Sequence, residues 1–160
     1  MTIKVGDHLP NATVKQITKD GFQDADTQNL FKGKTIALFG LVGAFTPPCS
    51  NVHLPSFAKN MDEFKRKGIE VVCVAVNDPF ALAAWGKLEI SHPDIIFLAD
   101  WSAEFSKAMG LTFDGSKNGL GIRSKRYNML VKDGVVAIFN LEEDSGVCTV
   151  SAAETLLKAL

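Results

Sequence analysis

The sequence predicts an α/β domain in which helices flank a central mixed β-sheet. Three observations carry that reading. Short apolar runs at 35–41, 69–76 and 95–98 have the length and composition of buried strands. Stretches with helical character separate them, as parallel strands joined by crossovers require. Near the end, Lys132-Asp-Gly134 lies between apolar runs at 127–131 and 135–139. Asp-Gly supplies positive φ, which makes it a strong hairpin signal.

Taken in order, residues 1–30 form a lead-in with a short hairpin through Asp20-Gly21. The run Thr35-Ile-Ala-Leu-Phe-Gly-Leu41 is the first buried strand, and a Gly/Pro-rich loop follows at 43–48. A helix is expected over about 48–67. Leu54, Phe57, Met61 and Phe64 recur there at three- and four-residue spacing, and Gly68 suits a C-terminal stop. Pro55 should kink it. The run at 69–76 is the second strand. A helix over 79–89 opens with Pro79 in its first turn. The run at 95–98 is the third strand, and Ser102 is expected to cap a short helix reaching about Met109. Residues 110–122 read as a Gly-rich loop. After the hairpin, a last helix runs from Ser151, where Ser151 and Glu154 have the capping-box form. This βαβ…ββα order is that of the thioredoxin-like fold.

The chain has 160 residues, 46% of them apolar and 22% charged, which excludes a disordered chain, a collagen and a coiled-coil rod. That length makes one domain over 1–160 the expectation. The formal net charge is −1, with no Lys/Arg run, so nothing points to nucleic acid or an anionic membrane. The longest greasy stretch, 36–45, is broken by Gly40 and Gly43 and falls well short of the roughly 20 residues a membrane span needs. The first residues show no apolar signal core, and a reducing cytoplasm is the expected compartment. Cys49, Cys73 and Cys148 cannot all pair within one chain, and none has metal-ligand spacing, so no metal or other cofactor is expected.

The informative stretch is Gly43-Ala-Phe-Thr-Pro-Pro-Cys-Ser50. Cys49 follows a buried strand and a turn, and it opens a helix. In the first helical turn, unpaired N–H groups and the positive end of the macrodipole favour thiolate, which is the nucleophilic form. Thr46 can present a hydroxyl to the same spot. On position alone, an inert thiol at a helix start is an equal reading.

These residues, followed by His53-Leu-Pro55, resemble the active-site signature of the peroxiredoxins, in their atypical type II or type-five branch. The resemblance continues through Val76-Asn-Asp78, Trp85, Ala99-Asp-Trp101, Gly121-Ile-Arg-Ser-Lys-Arg-Tyr127, Val131-Lys-Asp-Gly-Val135 and Asn140-Leu-Glu142. It implies a thioredoxin-like fold and reduction of hydrogen peroxide and alkyl hydroperoxides. It makes Cys49 the peroxidatic cysteine, Thr46 a hydrogen-bonding partner of thiolate and peroxide, and Arg123 the arginine that closes the site. Arg126 is a second candidate for that arginine, and Lys125 reads as solvated. Two positions depart from the family pattern. Val42 stands where the signature has proline, and Pro48 removes a backbone N–H that helps to bind peroxide in the family.

Cys148, in a loop before the last helix, is one candidate for a resolving thiol, and Cys73, in mid-strand, is another. As a buried strand residue Cys73 reads better as core, and Cys148 reads equally well as a packing residue. If neither resolves, an external thiol (glutathione, glutaredoxin or thioredoxin) must. The resemblance also implies a homodimer. His53, four residues after Cys49, suggests by itself a Cys–His hydrolase dyad, whereas the resemblance makes it structural. His8 and His92 read as exposed, and Trp85 and Trp101 as packing at the core edge or at a dimer contact. A redox-sensing or thiol-relay protein with weak peroxidase turnover is the alternative to the enzyme, motivated by Val42 and Pro48.

Overall fold

The structure is a computed structural model that describes residues 1–89 and 92–160. Its strands in chain order are β1 (Thr13–Thr18), β2 (Gly21–Asp26), β3 (Thr35–Leu41), β4 (Glu70–Ala75), β5 (Ile96–Ala99), β6 (Thr112–Asp114), β7 (Ile122–Ser124), β8 (Tyr127–Lys132) and β9 (Val135–Leu141). Seven of them form one sheet in the order β2-β1-β5-β4-β3-β8-β9. The centre, β3, β4 and β5, is parallel, and the flanking strands are antiparallel. The expected hairpins at both ends form: β1 pairs with β2 and β8 with β9. At the second turn Asp133 and Gly134 both take positive φ, as a two-residue hairpin loop demands.

Period-two alternation sends β3 side chains to two cores. Ala37, Phe39 and Leu41 face one, with Cys73 and Ala75 of β4. Ile36 and Leu38 face the other, with Val72 and Val74. The first core is covered by helices α2 (Leu54–Lys59), α3 (Met61–Arg66), α4 (Pro79–Leu88) and α6 (Ala153–Lys158), which contribute Leu54, Phe57, Phe64, Leu82, Trp85 and Leu156. Phe57 stacks on Phe39 with ring centroids 4.0 Å apart, and both are fully buried. Removing such a ring costs about 3–5 kcal/mol. The second core takes Phe31 from α1 (Thr27–Phe31) and Phe105 from α5 (Glu104–Ala108).

Four expectations about local structure are corrected. The helix expected over 48–67 is three pieces: a π turn at Cys49–His53, then α2, then α3. Pro55 sits in the first turn of α2, and the break comes at Asn60, whose side chain donates to the Ser56 carbonyl. Ser102 does not cap α5. The buried Asp100 carboxylate does, accepting from the N–H groups of Phe105 and Ser106 at 3.2 and 2.8 Å. The 110–122 loop contains β6, and a small antiparallel sheet forms where β6 meets β7. Ser151 and Glu154 form no capping box, because the Ser151 hydroxyl donates to Glu142 instead, and the Ser56 hydroxyl caps Ala153 N–H.

Candidate active site

The loop leaving β3 brings Cys49 to the carboxyl end of the parallel strands, where α/β sheets place their sites. Asn77, just past β4, accepts from Ala44 N–H at 2.9 Å and pins the loop. Phe45 takes φ 67, which turns the chain back towards the helix. Pro48 lies in the right-handed helical region (φ −63, ψ −31), so the chain is already helical before Cys49. The π turn then closes with Leu54 N–H donating to the Cys49 carbonyl. Pro55 follows without an N–H, which removes one competing helical bond at this point. Trp85 indole N–H donates to the Ser50 hydroxyl at 2.8 Å and fixes the turn from the α4 side. Trp85 is thus core, whereas Trp101 is exposed.

The Cys49 sulfur is fully buried, and its partner is Arg126, whose Nη2 donates to Sγ at 2.9 Å. This corrects the choice of Arg123 as the arginine on the thiol. Arg123 lies across the loop, donating from Nε to the Leu120 carbonyl at 2.9 Å and from Nη1 to the Val42 carbonyl at 3.4 Å. It fits there because residue 43 is glycine: a Cβ on Gly43 would stand 2.3 Å from Arg123 Nη1. The signal for Arg126 was present in the strand period. Gly40 pairs with Tyr127, and Tyr127, Met129 and Val131 face the second core. Alternation therefore puts Arg126, with Asn128 and Leu130, on the face that carries Cys49.

Arg126 is itself fully buried. Its other side-chain donors go to the Ser145 carbonyl (Nε, 3.0 Å) and His53 Nδ1 (Nη1, 2.9 Å). Neither is a carboxylate, so among the described residues no acidic side chain is hydrogen-bonded to the guanidinium, and the sulfur is its third partner. His53 is not the base of a hydrolase dyad, because Arg126 occupies the ring nitrogen that could take a proton. Its other ring nitrogen meets the Ser151 carbonyl at 3.0 Å. Burial first, and the Arg126 charge second, push the His53 pKa down to about 3.

The two remaining cysteines are in unlike settings. Cys73 is enclosed in β4, and burial holds its thiol well above the ordinary range, with Cys49 adding to the effect and Arg126 opposing it. Cys148 is half-buried, and its sulfur is hydrogen-bonded to the Ser151 hydroxyl oxygen at 3.6 Å. Burial raises its pKa, and the Ser151 hydrogen bond and Arg126 partly offset that. The segment around it is organised by Glu142, a buried carboxylate that accepts from the N–H and hydroxyl groups of both Thr149 and Ser151. Burial opposes its charge, but these donors outweigh burial and its pKa is lowered.

Beside the loop that carries Cys49 opens a cleft of about 640 Å³, lined by Pro48 and Arg126, the residue before Cys49 and the partner of its sulfur. Val42, Phe113, Leu120 and Leu141 give it apolar walls, and Thr46, Pro48, Lys125 and Arg126 also line it. The Thr46 hydroxyl donates to the Gly43 carbonyl at 2.7 Å, which leaves its lone pairs as acceptors. His8 is exposed, and His92 lies beside Asp94, partly buried. Among the described residues no group of three or more His, Cys, Asp or Glu side chains is placed to hold a metal ion.

A family model described as Redoxin matches residues 4–157. Peroxiredoxin-2B of Arabidopsis thaliana is 42% identical over 160 residues, spanning 99% of this chain and 98% of that relative. The chain belongs to the redoxin family, among the peroxiredoxins. The structure of reduced Prx3 from Vibrio vulnificus in complex with hydrogen peroxide is 42% identical to this peroxiredoxin, superposes with a TM-score of 0.92, and covers 99% of each chain. Peroxiredoxin 5 of Alvinella pompejana, at 35% identity, gives 0.85 over 98% of this chain and 97% of its own. The family and the thioredoxin-like fold expected from the sequence are both borne out.

Proposed function

We propose that this peroxiredoxin is a thiol-dependent peroxidase with Cys49 as its peroxidatic residue. The observation that carries the reading is Arg126, which lines an open cleft, donating to the Cys49 sulfur at 2.9 Å. The thiolate attacks one peroxide oxygen, the O–O bond breaks, and sulfur is oxidised to sulfenic acid. The second oxygen departs as hydroxide or alkoxide and is protonated to water or alcohol. Arg126 stabilises the charge that builds during this transfer. Thr46 accepts from a peroxide O–H, and Arg123 braces the loop from outside. The apolar walls suit the organic group of an alkyl hydroperoxide, and hydrogen peroxide needs less room.

A thiol then attacks the sulfenic sulfur, releasing water and leaving a disulfide, which a second thiol reduces. Cys148 is the internal candidate, because it is half-buried in a loop segment, whereas Cys73 would have to leave a central strand. Glutathione, glutaredoxin or thioredoxin supplies the electrons. Exposed Phe45, Phe80 and Trp101 follow the ends of β3, β4 and β5 and provide an aromatic surface for a homodimer. The cytoplasm is the proposed compartment. A redox relay with weak turnover is the second reading, favoured by Pro48, which offers no N–H to a bound oxygen.

The test is rapid mixing of the reduced protein with hydrogen peroxide and with tert-butyl hydroperoxide, read by intact mass. Wild type, Cys49→Ser, Cys73→Ser and Cys148→Ser are compared. Fast oxidation that disappears in Cys49→Ser alone is expected. A loss of two hydrogens that vanishes in Cys148→Ser would name the resolving thiol, and a persistent sulfenic acid would assign that step to an external one. Oxidation no faster than that of a free thiol would overturn the peroxidase reading.

A further inference from the structure

We infer that His53 is a positioning residue for this reaction: its neutral ring, fixed as the Nε2–H tautomer between Arg126 and the Ser151 carbonyl, aims the guanidinium at the Cys49 sulfur. The inference rests on the peroxidase reading given above.

The hydrogen-bond roles follow from chemistry alone. A guanidinium has only donors. The ring nitrogen 2.9 Å from Arg126 Nη1 is Nδ1, so Nδ1 must be the unprotonated, accepting nitrogen. The single ring hydrogen is then on Nε2 and donates to the Ser151 carbonyl at 3.0 Å. A doubly protonated ring would set N–H against N–H in a buried place. The walls of the ring are Phe39 and Phe57, with centroids 5.0 and 5.8 Å away. The charged and titratable groups around it are Arg126 and Cys49 on one side, with Glu142 and Cys148 beyond Ser151 on the other. Burial and the Arg126 charge both act against ring protonation.

What the ring does is angular. The three side-chain contacts of Arg126 run from Nε, Nη1 and Nη2 to Ser145, His53 and Cys49. The guanidinium is a planar fork, so fixing Nε and Nη1 fixes where Nη2 points. The aim is anchored at the far end as well. The Ser151 carbonyl also accepts from Asn128 Nδ2 at 2.8 Å, and Glu142 holds the Ser151 N–H and hydroxyl. Cys49, His53, Arg126 and the segment before α6 therefore form one hydrogen-bonded unit.

Two substitutions and one spectrum test this. In His53→Gln, an amide oxygen can accept from Arg126 while the amide NH2 donates to Ser151. In His53→Leu, similar bulk remains but both bonds are gone. We expect His53→Leu to slow oxidation of Cys49 by hydrogen peroxide by roughly tenfold or more. His53→Gln should recover most of that loss, with no fall in KM to account for it. On the wild-type protein, nitrogen-15 NMR should show Nδ1 bare and Nε2 protonated, unchanged from pH 8 to pH 5. A ring that titrates in that window, a His53→Leu protein as fast as wild type, or a His53→Gln protein as slow as His53→Leu would each overturn the inference. Wild type that is slow with peroxide, yet shows the expected spectrum, would sink the peroxidase reading instead.

Discussion

Replacing Arg126 with methionine should slow the reaction of Cys49 with peroxide by about 10²–10³-fold. The figure comes from the contact geometry. Nη2 of the guanidinium donates to the sulfur at 2.9 Å, and both residues are fully buried, so the lost interaction is a charge-assisted bond. Such a bond contributes about 1.5–3 kcal/mol. A donor preorganised for charge that develops in the transition state contributes about 2.7–4 kcal/mol. At roughly 1.36 kcal/mol per factor of ten, the larger range corresponds to about 10²–10³. Methionine keeps much of the bulk, although the Ser145 carbonyl and His53 Nδ1 lose their donor. Folding is therefore checked first by circular dichroism and melting. Stopped-flow oxidation under pseudo-first-order peroxide then gives the second-order rate constant for wild type, Arg126→Met and Arg123→Met. Arg123 touches the Val42 and Leu120 carbonyls and not the sulfur, so its variant should lose less than about tenfold. An Arg123→Met protein slower than Arg126→Met would refute the assignment.

Pro48→Thr restores a backbone N–H in the first helical turn, and it should raise the oxidation rate by up to about 10²-fold in the same assay. No gain would mean that this N–H does not face the bound oxygen. Gly40→Ala should destabilise the fold by about 3 kcal/mol in urea titrations, because the new Cβ would stand 2.2 Å from the Tyr127 ring. Acid should weaken the protein earlier than carboxylates alone would. His53 has a native pKa of about 3 against 6.5 when unfolded, so between those values only the unfolded chain takes up the proton. Stability is then full above pH 6.5 and falls by about 1.4 kcal/mol per pH unit below it. Glu142, whose pKa is lowered, adds to the loss only below its ordinary value of 4.5. Urea midpoints for wild type and His53→Gln between pH 7 and 4.5 check this, and a slope that survives in the variant would contradict it.

The strands were legible because their signals are local. Alternating or continuous apolar runs fix β3, β4 and β8 within a residue or so, and Asp133-Gly134 fixes the β8–β9 turn. What escaped depends on partners distant in the chain. Ser102 has the right chemistry to cap α5, but Asp100 reaches two of the free N–H groups and takes the role. Ser151 and Glu154 have capping-box spacing, yet Glu142, nine residues earlier, claims the serine. The site divides in the same way. Cys49 and its helical start were readable from eight residues. Arg123 and Arg126 both lie in the stretch that resembles the family, and only the alternation leading into β8 separates them by putting Arg126 on the Cys49 face. The partners of His53 come from the residue just before β8 and the segment before α6, and no spacing rule could supply them.

The π turn at Cys49–His53 also bears on how such a site can change over time. A single surplus residue in a helix is absorbed there as one widened loop of backbone, so the insertion does not propagate. From Leu54 onward the apolar stripe that packs on β3 keeps its phase. The five residues of the turn that carries Cys49 are thereby uncoupled from the thirteen behind them, 54–66, that build the core. Substitutions at the exposed Asn51 and Val52 can alter the turn without rotating Phe57 or Phe64 out of place, whereas Ser50 is tied to the core through Trp85. A lineage can explore reactivity in this turn while its foundation stays as it was.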